Sequence, residues 1–63
     1  MVKIRVLDVK KGDILDGKSQ NYEVISNNNG VLYVYGQKTG FFNEIDLTKK
    51  LKEDKNMEVF LIG

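Results

Sequence analysis

Neither cysteine nor histidine occurs in this 63-residue chain, and that double absence narrows how so short a sequence can hold a fold. A domain of this size buries only about 60% of the surface its unfolded form exposes, so small domains commonly lean on disulfides, structural metals or self-association. Disulfides require cysteine, and structural zinc sites draw on cysteine and histidine. What is left is a tight apolar core, extended where needed by contact with another chain. The apolar share of 41% supplies such a core and separates the chain from polar sequences that stay disordered.

The pattern of that apolar content favours strands. Val2-Lys3-Ile4-Arg5-Val6 alternates aliphatic and charged residues, the period-two signature of a half-buried strand. Gly12 supplies freedom for a bend, and Lys10 to Asn21 is expected as an irregular excursion anchored by Ile14. Tyr22 to Ile25 reads as a second strand and Val31 to Tyr35 as a third. Between them Asn27-Asn28-Asn29-Gly30 ends in Asn-Gly, a strong hairpin signal because both residues tolerate positive φ. A second tight turn is expected over Gly36 to Gly40, followed by a fourth strand from Phe41 to Ile45. Asp46 to Lys52 changes period, with Leu47 and Leu51 four apart. This predicts one or two helical turns, or a 3₁₀ turn, capped by Asp46 or Thr48. Met57 to Ile62 closes the pattern as a fifth strand.

Five short strands, two hairpins and a helical turn before the last strand predict an all-β fold, a small barrel whose closure hides strand edges. In this order of elements the chain resembles the SH3-like barrels. Lys10 to Asn21 matches their long first loop, and Asp46 to Lys52 matches the short helical turn before the final strand. The resemblance covers nearly the whole chain, read as a single domain over residues 1–63, and is one of element order. An OB-like barrel is the nearest rival, at a usual length greater than this. The sequence has no Trp and no Pro, so the aromatic and proline residues of the peptide groove in eukaryotic SH3 domains are missing. Recognition of proline-rich peptides does not carry over.

Catalysis is not expected. Without histidine or cysteine the common nucleophile–base pairs cannot be assembled, and no serine or threonine lies in a recognisable nucleophile motif. Asp13 and Asp16 flank Ile14 and Leu15, where a calcium loop would need oxygen ligands; turn chemistry explains both acids. Neither metal nor cofactor is expected. No apolar run approaches the roughly 18 residues that span a bilayer, and the charged opening is unlike a signal peptide, so the expected location is cytoplasmic.

Two surface features remain. Lys10, Lys11 and Lys18 gather around the first excursion, and such lysines beside aromatics are able to track a phosphate backbone. The balance of ten basic against nine acidic residues argues instead for a solvated surface of mixed sign. The stronger lead is aromatic. Tyr33 and Tyr35 are two apart and share a face, opposite Leu32 and Val34. An even-numbered hairpin loop would bring Tyr22 and Val24 to the tyrosine side. With Leu32, Val34 and Ile25 inside, Tyr22, Tyr33 and Tyr35 form an exposed stripe that Phe42 joins, and such stripes mark contact sites; with the tyrosines inside instead, their hydroxyls must reach the barrel rim and the stripe is core. The near-continuous apolar run Val59 to Ile62 suits a strand covered on both faces, which a homodimer would supply; equally, an incompletely closed barrel would offer an edge to a partner's strand. The expected function is that of a non-catalytic binding module or inhibitor acting on an unidentified protein partner, of the size seen in accessory proteins of bacteriophages and mobile elements. The rivals are a nucleic-acid-binding barrel and a structural subunit of a homo-oligomer.

Overall fold

In the computed structural model, which describes residues 1–62, the hairpin signal has its expected consequence. Asn29 and Gly30 both adopt positive φ, 51° and 100°. Between them they form the two-residue turn joining β3 (Asn21–Asn28) to β4 (Val31–Gly36), a geometry whose twist matches the flanking strands. β4 continues antiparallel into β5 (Phe42–Asp46) through the turn centred on Gln37 to Thr39. The Gln20 side chain secures that turn, its Oε1 accepting from the Lys38 and Thr39 amides at 3.0 and 3.1 Å.

On the other side of the hairpin lies a strand that the sequence pattern does not announce. Ile14–Asp16 forms β2, whose Leu15 stands opposite Tyr22 of β3 and Leu61 of β6 (Glu58–Leu61). β1 (Val2–Arg5) pairs with β6. The result is one antiparallel sheet of six strands in the order β1-β6-β2-β3-β4-β5. Two expectations are corrected. Among the described residues there are six strands rather than five, because part of the supposed excursion is a short strand anchored by buried Leu15. The sheet is also open rather than a closed barrel, since β1 and β5 are its two edges and do not pair with each other.

One face of the sheet carries the core. Val6, Val24, Leu32 and Val34 are fully buried, with Val9 and Leu15 nearly so; Ile4, Tyr22, Ile45, Leu47, Val59 and Leu61 pack around them. The helical turn is α1 (Thr48–Glu53). Asp46 serves as its anchor, accepting the Thr48 amide at 2.9 Å as well as the Thr48 hydroxyl. Leu51 of α1 lies so close over Gly30 that a Cβ there would collide with it, so this glycine provides both the turn and the seat of the helix.

Residues Val6–Asp8 leave β1 as a 3₁₀ turn, held by one side chain. Asn27 Nδ2 donates to the carbonyls of Val6 and Val9 at 2.9 and 2.8 Å, and its Oδ1 accepts the Gly30 amide at 3.0 Å. A single side-chain amide thus joins the hairpin turn to a segment some twenty residues away in sequence.

Candidate functional site

The face of the sheet opposite the core is where the aromatic residues stand. Cross-strand partners share a face, and Tyr35 lies opposite Phe42 while Tyr33 lies opposite Glu44. The Tyr33 and Phe42 rings are stacked diagonally, with centroids 5.7 Å apart and planes within 8°. Tyr35 meets Phe42 at 5.1 Å and a tilt of 57°. Tyr33 is 43% and Phe42 55% exposed, and Tyr35 is half-buried. These three rings form a rigid cluster, because a stacked and a tilted contact both suit the quadrupoles of the rings. Phe41, in the turn just before β5, is 70% exposed.

Tyr22 does not belong to this cluster. The hairpin loop has the even length that would have placed it there, but a β-bulge interrupts β3 between Val24 and Ser26. Beyond the turn Ser26 pairs with Tyr33; beyond the bulge Val24 pairs with Val34, Glu23 with Tyr35 and Tyr22 with Gly36. One inserted residue, Ile25, reverses the face of every residue N-terminal to it. Val24 therefore enters the core and Tyr22 lies half-buried on the inner face, its ring against Gly17. Ile25, expected inside beside Leu32 and Val34, is the bulged residue and only half-buried.

Carboxylates frame the aromatic cluster. Glu23 is directly across from Tyr35, Glu44 directly across from Tyr33, and Asp46 follows on β5 opposite Val31. The hydrogen bonds from the Thr48 hydroxyl and then the Thr48 amide hold the Asp46 carboxyl below the ordinary aspartate value, so this end of the face keeps its negative charge. The lysines lie elsewhere. Lys10 and Lys11 precede β2 and Lys18 follows it, all three exposed, so the strand separates the pair from the third. Asp13 is occupied in turn geometry, accepting the Lys10 amide at 3.0 Å.

A second feature carries no clear sequence signal. On the core side of the sheet an apolar cleft of about 200 Å³ is lined by Leu15, Tyr22 and Leu32 together with Ile45, Leu47, Met57 and Val59. In the final strand Val59 and Leu61 point inward and are half-buried. Phe60 and Ile62 are 48% and 42% exposed, so within the single chain this strand is covered on one face only. The Lys3 ammonium lies 5.5 Å from the Phe60 ring centre, within cation–π range.

Fold and surface together define a small antiparallel β domain with a clustered aromatic face, acidic at its margin. Comparison with protein-family models, with curated proteins and with solved structures gives no match for the chain.

Proposed function

We propose that this chain is a non-catalytic binding module that acts through protein–protein contact on its aromatic face, with Tyr33, Tyr35 and Phe42 as the contact residues. The observation that carries the reading is the stacked, solvent-facing Tyr33–Phe42 pair braced by Tyr35. Rings already held by one another lose little entropy when a partner covers them, which is the property that enriches aromatic residues at the centres of interfaces. Glu23 and Glu44 beside the rings favour a partner surface that is apolar with basic residues at its rim. The same carboxylates would repel a nucleic-acid backbone, and Lys10, Lys11 and Lys18 do not border the rings, so nucleic acid ranks second as a partner.

In this reading the element order is SH3-like in kind, a cytoplasmic accessory domain of the size common among bacteriophages and mobile elements. It works by occupying a partner's surface rather than by turnover. Among the described residues no helix is long and apolar enough to cross a membrane.

The test is affinity capture from native lysate with the wild-type chain beside Tyr33→Ser and Phe42→Ser. A protein retained by the wild type and lost with both variants supports the assignment. Equal recovery by all three chains overturns it, as does turnover of a substrate by the purified protein.

A further inference from the structure

The two edges of the sheet carry opposite charge on the same face. Pairing places Lys3 opposite Phe60 and Arg5 opposite Glu58 on β1, and Phe42, Glu44 and Asp46 opposite Tyr35, Tyr33 and Val31 on β5. All of these β1 and β5 residues lie on the outer face and are exposed. The backbone follows the same division. Val6 donates to the Met57 carbonyl at 2.9 Å, and antiparallel ladders alternate between bonded and non-bonded pairs. Val2 and Ile4 therefore turn their N–H and C=O groups toward β6, while Lys3 and Arg5 turn theirs to the free edge. On β5 the bonds from the Gly36 amide to the Phe41 carbonyl (2.8 Å) and from the Leu47 amide to the Gly30 carbonyl (2.9 Å) fix the same alternation. Asn43 and Ile45 face β4, and Phe42, Glu44 and Asp46 present their backbone outward.

From this we propose that the chain self-associates head to tail, the β1 edge of one copy adding to the β5 edge of the next. The proposal stands apart from the aromatic-face reading, since it rests on the two sheet edges, and shares with it only Glu44, which lies beside the rings. Six antiparallel strands leave the two edges running in opposite directions, so a copy carried across the sheet offers β1 antiparallel to β5 without turning over. In the register that sets Arg5 against Glu44 and Lys3 against Asp46, both are hydrogen-bonded pairs with opposite charges directly across. Ile4 then faces Ile45 on the core side, and Val2, 55% exposed in the single chain, gains apolar cover beside Leu47.

Edge charges commonly guard a sheet against pairing, and here they guard against only one kind. Two β5 edges would bring acids together and two β1 edges would bring bases together, whereas the head-to-tail contact joins unlike signs. The internal partners of Lys3 and Arg5, Glu58 at 3.8 Å and Asp8 at 2.8 Å, are about half exposed and hold these side chains weakly. Because the contact is heterologous, it forms a ring or a filament.

Sedimentation velocity over a concentration series tests this, with Arg5→Glu, Glu44→Lys and their equimolar mixture. The wild type should show species above 7.2 kDa that grow with concentration. Each variant should associate roughly tenfold more weakly, since each sets like charges across the contact. The mixture should recover wild-type association. There the carboxylate introduced on β1 of one variant meets the ammonium introduced on β5 of the other, while the reverse contact keeps the native Arg5 and Glu44. Amide hydrogen exchange on the wild type needs no variant: protection at Lys3, Arg5, Glu44 and Asp46 should rise with protein concentration while that of β3 stays constant. A wild type that stays at 7.2 kDa with concentration-independent exchange overturns the proposal. So does a mixture no better associated than its components. Either result leaves the capture experiment on the aromatic face to be judged by itself.

Discussion

Replacing Asn27 by alanine should cost this domain about 2–3 kcal/mol, an estimate built from its three hydrogen bonds at about 1 kcal/mol each. Those bonds reach the Val6 and Val9 carbonyls and the Gly30 amide. The Val6 carbonyl keeps a second partner, the Val9 amide at 3.1 Å, which lowers the loss at that site. The Gly30 amide belongs to a buried residue and has no such replacement. A 63-residue domain at about 0.05–0.15 kcal/mol per residue holds roughly 3–9 kcal/mol in all, so the loss is a large share of the total. In thermal unfolding it corresponds to a fall in Tm of about 10–20 °C.

Urea and thermal unfolding followed by circular dichroism measure the effect, with Asn28→Ala as the control. Asn28 is exposed on the neighbouring position of β3 and should change stability by less than about 0.5 kcal/mol. Asn27→Asp adds a sign. It sets a carboxylate oxygen where Nδ2 met two carbonyls, so at neutral pH it should be worse than alanine. Those carbonyls raise the folded-state pKa of the new carboxyl, and its penalty should therefore shrink as pH falls through that raised value and a donor is regained. If Asn27→Ala matches Asn28→Ala, the side-chain amide is not the tie between hairpin and 3₁₀ turn.

Two further outcomes follow from the backbone and the helix anchor. Gly30→Ala should lose more than Gly12→Ala in urea unfolding: both positions have positive φ (100° and 94°) and share a strain of about 1–3 kcal/mol, but only at Gly30 does the new Cβ meet Leu51. Adding Leu51→Ala should recover the difference, and equal losses at the two glycines would show that the helix does not seat there. For Asp46, whose folded pKa lies below the ordinary 3.8, the ionised carboxylate contributes its full stabilisation above that value and loses it as pH falls through the lower folded pKa. Carbon-detected NMR should find the Asp46 titration midpoint under 3.8 and shifted upward in Thr48→Val, whereas a midpoint at or above 3.8 in the wild type would remove Asp46 as the helix anchor.

How far the sequence carries the fold depends on which signals are local. The Asn-Gly turn, the two hairpins and the helical turn are each set by a few adjacent residues, and the structure has them near the expected positions. β2 is three residues long, too short for any period to register, and it is a strand only because Leu15 meets Tyr22 and Leu61 from distant parts of the chain. The Asn27 tie is equally non-local, and in sequence this residue is one of three consecutive asparagines. The bulge at Ile25 matters most for the site. Nothing in Tyr22-Glu23-Val24-Ile25-Ser26 marks an inserted residue, yet the core explains it: with Leu32 and Val34 fixed inward by β4, only the shifted register brings Val24 into the core. An unbulged strand would instead turn Val24 out and Glu23 in, setting a carboxylate against the apolar core. The aromatic pairing of Tyr33 and Tyr35 with Phe42 survives because it lies on the far side of the bulge from the residues it reverses. Removing Ile25 from the chain should therefore leave a regular β3 that still sets Val24 opposite Val34 and Tyr22 on the inner face, and a deletion variant that unfolds or exposes Tyr22 would show that the bulge does more than adjust the register.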